Sequence, residues 1–157
     1  MPLIQDLLTR FRQTVTAYAG DETLMQAGVS AAANVIVADG EVAGEEFETA
    51  LKGVLANPTV AKGYDALMLE EALYEAIGRA RTRAGRTDNL RRVAAIAGRS
   101  AEQREGVFLV AVDVADHDGI AEIEHAALAE IAAALLVDKT ALLRTVPARA
   151  TIRRATA

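Results

Sequence analysis

Apolar positions recur every three to four residues along almost the whole chain, and strict alternation is missing. Ile4, Leu8, Phe11, Val15 and Tyr18 keep helical spacing and predict a helix over 3–19, ended by Gly20-Asp21. Leu24, Gly28, Ala31, Val35 and Ala38 form a second stripe of mostly small residues, suited to close helix packing. A third helix is expected over 44–56, stopped by Asn57-Pro58. A fourth follows over 66–84 and a shorter fifth over 88–98, ended near Gly98. Ser100-Ala101-Glu102-Gln103 reads as a capping-box start for a sixth helix running to about Ala115. A seventh, over about 121–136, turns Leu128, Ile131 and Leu135 inward, and Asp138 caps a last helix over 139–145 before Pro147. No segment combines alternation with β-branched enrichment, so no sheet is predicted. The expected architecture is all-α, a compact single-domain bundle of about seven to eight helices over 1–146. Residues 147–157, with Arg149, Arg153 and Arg154 among small residues, read as a flexible basic tail.

Composition narrows the picture. The 157 residues suffice for one proper core, and with 52% apolar but only 4% aromatic residues, alanine and aliphatic side chains must fill it. The absence of cysteine excludes disulfides, thiolate metal sites and thiol catalysis. A net charge of −5 argues against general nucleic-acid binding. Asp6, Arg10 and Arg12 interrupt any hydrophobic leader, and no run nears the roughly eighteen apolar residues of a membrane span. A cytoplasmic protein without direct membrane insertion is the expectation.

Two acidic turns repeat one design. In Val35–Glu46 and again in Val112–Glu124, an apolar helical run stops at an Ala-Asp step, turns at a glycine and restarts with glutamates. The two helix–turn–helix units are displaced by 77 to 79 residues, which suggests a pseudo-duplicated bundle. Asp39, Glu41, Glu45, Glu46 and Glu48 crowd the first, and Asp113, Asp116, Asp118, Glu122 and Glu124 the second, without a lysine or arginine in either stretch. Two carboxylates about 4 Å apart near a surface repel by up to roughly 4 kcal/mol. Solvent exposure, protonation, arginine partners or a cation must relieve that repulsion. A hard divalent cation prefers oxygen ligands converging on a glycine turn. Plain helix capping by carboxylates is the alternative for the same residues.

Other chemistry fits less well. Counting an EF-hand loop from Asp116 or Asp39 puts Ala127 or Ala50 where a bidentate glutamate is required. Glu122-Ile123-Glu124-His125 contains the Glu-x-x-His step of carboxylate di-iron bundles, but the matching Glu45-Glu46-Phe47-Glu48 lacks histidine. There is no phosphate loop, His-Glu-x-x-His or nucleophile elbow. Acid–base chemistry finds no support either, since the paired carboxylates are expected in solvated turns; the chain reads as a non-enzyme. The arginine-rich middle, Arg79 to Arg104, is expected to be a solvated face, with pairing to the acidic turns or docking of an acidic partner as its alternatives.

The two Asp-Gly turns in this helical setting resemble the TerB family of tellurite-resistance proteins. The likeness extends over roughly residues 3 to 143. It rests on Val15…Tyr18 followed by Leu24-Met25-Gln26-Ala27-Gly28-Val29, on Ala38-Asp39-Gly40-Glu41-Val42-x-x-Glu45-Glu46, and on Val110–Leu136. Asp39, Gly40 and Glu46 match the first motif, and Asp118 with Gly119 the second. The second copy departs from the pattern. His125 stands where a glutamate is expected seven places after Asp118, and Glu124 lies one place short. The resemblance implies an all-helical, non-enzymatic protein of resistance to tellurite and other chemical stress. It further implies a divalent cation, calcium first among them, and partners among other Ter-type proteins, including a membrane-embedded one that would recruit the chain to the inner face of the membrane. Related domains attached to DnaJ-type co-chaperones imply a metal-independent interaction module as the second possibility. The candidate ligands are Asp39, Glu41, Glu45 and Glu46 at the first turn and Asp116, Asp118, Glu122 and Glu124 at the second.

Overall fold

The computed structural model describes residues 20–38, 44–116 and 120–145. The helix expected over 3–19 and the tail over 147–157 lie outside the described residues. Within them the chain forms eight helices and no strand, an all-α bundle around one continuous core.

Helix α1 (Glu22–Ile36) is the axis of the bundle. Asp21 starts it, its carboxylate accepting from the Leu24 amide at 3.1 Å. The sequence stripe understates its burial: all but three of its fifteen residues are buried, on every face. A helix apolar all round belongs inside a bundle, and small side chains let its neighbours come close. At Gly28 a Cβ would sit 2.6 Å from Val60 Cγ1, so the segment around Val60 lies almost on the α1 backbone.

Helix α2 (Gly44–Ala56) matches the expected span, and Asn57-Pro58 ends it as expected. The same Asn57 then caps α3 (Pro58–Ala61), accepting from the Thr59 and Val60 amides at 3.1 and 3.4 Å. That short helix was not apparent in the apolar periodicity, because four residues carry too little pattern.

The boundary between α4 (Ala66–Ala80) and α5 (Arg83–Ala94) differs from the expectation by several residues. Thr82 is the reason. Its hydroxyl accepts from the Gly85 amide at 3.0 Å and starts α5 where the fourth helix was expected to continue. Beyond Ala94, tight turns over 95–98 replace the end of the fifth expected helix. Helix α6 (Ala101–Ala115) begins at Ser100, whose Oγ accepts from the Gln103 amide at 3.3 Å. In α7 (Glu122–Leu135), Leu128, Ile131 and Leu135 are fully buried, as the sequence indicated. Asp138 accepts from the Ala141 amide at 3.0 Å and caps α8 (Lys139–Thr145).

Helix α1 packs chiefly against α4, α5 and α6, while α7 closes over α5 and α6. A polar network crosses this packing. Buried Asn89 of α5 donates to Asn34 Oδ1 of α1 at 2.9 Å and to the Ala76 carbonyl of α4 at 3.0 Å. Its own Oδ1 accepts from Arg79 Nε at 2.8 Å, and Asn34 Nδ2 donates to the Arg86 carbonyl at 3.2 Å. Three helices are thereby registered against each other in a low-dielectric setting where an unmade bond is costly.

Candidate functional site around the acidic turns

The structure brings the flanks of the two acidic turns to one place. A cavity of about 480 Å³ is lined by Val37 and Ala38, the last residues before the first turn, and by Ile123 and Ala127 in the first turns of α7. Arg81 and Arg86 complete its basic side. The convergence has a packing cause. The buried C-terminal half of α1 and the inner face of α7 both rest on α5, so the end of one helix meets the start of the other.

Among the candidate ligands, Asp116 is only 6% exposed at the end of α6, its amide donating to the Val112 carbonyl at 2.8 Å. Glu46 is half-buried in the first turn of α2, and one carboxylate oxygen of each (Glu46 Oε2 and Asp116 Oδ1) is shut off from solvent. That corrects the expectation of wholly solvated turns: fold contacts desolvate part of each acidic half. Glu124 caps α7, Oε1 accepting from the Ala121 amide at 3.0 Å, which is the capping role weighed against metal ligation. Glu122 is exposed beside it. Asp39, Glu41 and Asp118, and the side chain of Glu45, lie outside the described residues. Among the described residues no three carboxylate or histidine side chains gather closely enough to hold a metal ion. His125 is half-buried on α7, and His117 lies outside the described residues.

The arginine-rich middle is not simply a solvated face. Arg92 pairs with Asp88 at 3.1 Å and donates to Gln26 of α1 at 3.2 Å. Arg99 holds both carboxylate oxygens of Asp21. Hydrogen bonding from Arg99 draws the Asp21 carboxyl below its ordinary value, against the opposing effect of burial, and the same bond raises Arg99. Arg104 donates to the Leu135 and Leu136 carbonyls at 3.2 and 2.8 Å, satisfying the end of α7. Arg79 sits 3.8 Å from Asp88, and burial draws its pKa down, with Arg92 nearby adding to the effect. Sequence reading missed most of these structural duties because Gln26, Asp21, Leu135 and Leu136 are remote in the chain from the arginines they meet. Arg81, Arg83 and Arg91 are exposed and have no carboxylate within 4.0 Å among the described residues.

A second cleft, between α2, α3 and α6, is acidic, with Glu102, Glu105 and Asp113 on its wall. No helix among the described residues is long and apolar enough to cross a membrane. No family model, curated protein or solved structure matches the chain.

Proposed function

We propose that the chain is a non-enzymatic stress-response protein of the tellurite-resistance type, which binds a divalent cation at its acidic turns and acts through partner proteins. Calcium is the first candidate. The observation that carries this reading is the convergence of the turn flanks: Ala38, just before the first turn, and Ile123, just after the second, line one cavity. Carboxylates as dense along the chain as those of the two turns repel wherever they approach one another, and a bound cation removes that repulsion. Cation binding would then order the turns and present a partner surface. The TerB resemblance supports the Ter-type partners, a membrane-embedded one among them, and a cytoplasmic location at the inner membrane face.

Thermal unfolding of EDTA-stripped protein with and without calcium tests the reading. Free cation at a hundredfold over Kd stabilises by about 2.7 kcal/mol, or roughly 5–10 °C for a chain of this size. The double variant Asp39→Ala, Asp118→Ala should lose that shift and keep its helix content. No shift with any divalent ion would overturn cation binding. A metal-independent interaction module is the second reading, and exposed Arg81, Arg83 and Arg91 favour it. Its partner binding should fall steeply with ionic strength and ignore chelator.

A further inference from the structure

The cavity that joins the two turn flanks has the chemistry of a binding site in its own right. Arg86 is held at both ends. Its carbonyl accepts from buried Asn34, and its Nη1 donates to the Ala80 carbonyl at 3.1 Å. Neither Nε nor Nη2 makes a hydrogen bond among the described residues, so the guanidinium edge that grips a carboxylate with two parallel bonds is unengaged. Arg81 lines the same cavity and likewise has no ion pair there. Leu90, Ile123 and Ala126 give an apolar wall beside these two cations, and Glu130 is the carboxylate that completes the lining.

Two guanidinium groups and one carboxylate leave a single net positive charge. That balance favours a monoanion over a phosphate monoester, whose second charge would meet Glu130 unrelieved. A volume of about 480 Å³ is that of a small-molecule pocket. The planar fork of Arg86, fixed before any ligand arrives, lowers the ordering cost of binding. We propose that this cavity binds a small amphipathic carboxylate, its acid group on Arg86 and Arg81 and its apolar body against Leu90 and Ile123. The proposal uses none of the candidate cation ligands, so it stands or falls separately from cation binding.

Octanoate is the probe, titrated calorimetrically into the full chain in EDTA, with octanol and octylammonium in parallel. Saturable one-to-one binding of octanoate is expected, with at least a tenfold preference over both analogues. Arg81→Gln, whose wild-type side chain makes no hydrogen bond among the described residues, should weaken octanoate binding at least tenfold at unchanged helix content. Arg86→Lys should do the same by removing the fork while keeping the charge, and Ala126→Phe should abolish binding by filling the space. Absent or non-saturable octanoate binding overturns the proposal. So does equal binding of octanol or octylammonium, or wild-type affinity in folded Arg81→Gln and Ala126→Phe.

Discussion

Replacing Asn89 with alanine should cost more than its single amide suggests. The side chain is fully buried and makes three hydrogen bonds, to Asn34, to the Ala76 carbonyl and from Arg79. A neutral bond of this kind contributes about 1 kcal/mol net, and the bond from the charged guanidinium about 1.5–3. Truncation also leaves Asn34 Oδ1, the Ala76 carbonyl and Arg79 Nε without that partner in a buried setting. The expected loss is about 3–5 kcal/mol, a large fraction of the 5–15 kcal/mol that holds a typical domain. Urea unfolding followed by far-ultraviolet circular dichroism reads it as a lower midpoint at unchanged slope. Asn34→Ala should cost less, and the double variant should fall short of the sum by about 1 kcal/mol, the signature of a shared bond. A loss under about 1 kcal/mol in Asn89→Ala, or strict additivity, would refute the claim that this network registers α1, α4 and α5.

Gly85→Ala tests the junction between α4 and α5: the new Cβ would lie 1.6 Å from the Arg79 carbonyl oxygen, which is backbone and cannot swing away. A destabilisation of about 3 kcal/mol is expected despite alanine's better helix propensity, and unchanged or higher stability would disprove the close approach. Asp21→Asn keeps a capping oxygen but removes the charge facing Arg99, so it should cost about 0.5 kcal/mol near neutrality. Because the folded carboxyl lies below its ordinary value of 3.8, its contribution is present above the unfolded pKa and disappears as pH falls through the folded one. Parallel denaturation of the two proteins should converge as pH falls below the ordinary carboxyl value of 3.8, and a difference that persists at the acid end would contradict the ion pair.

Local rules were enough to place most helices, for physical reasons that reside in short stretches of chain. Side chains such as Ser100 and Asp138 bond amides three residues on, so the sequence near them already states where a helix starts. The inward face of α7 followed from the spacing of Leu128, Ile131 and Leu135, because 3.6-residue periodicity survives any tertiary arrangement. Thr82 carried the same kind of signal, but the apolar pattern running through residues 66–84 concealed it. The concentration of carboxylates in two repeated turns was legible too, as plain composition.

Tertiary structure alone decided what those pieces mean together. That Ala38 and Ile123 border one cavity depends on α1 and α7 both resting on α5, a matter of long-range packing. The desolvation of Asp116 and the capping bond of Glu124 separate two carboxylates that look equivalent in sequence. Arg99 and Arg104 read as members of one basic run until the fold gave them Asp21 and the end of α7, while Arg86 kept its open edge. Charge and propensity are properties of a residue, so the sequence contains them. Burial and partnership are properties of a pair, and only the packed chain assigns the pairs.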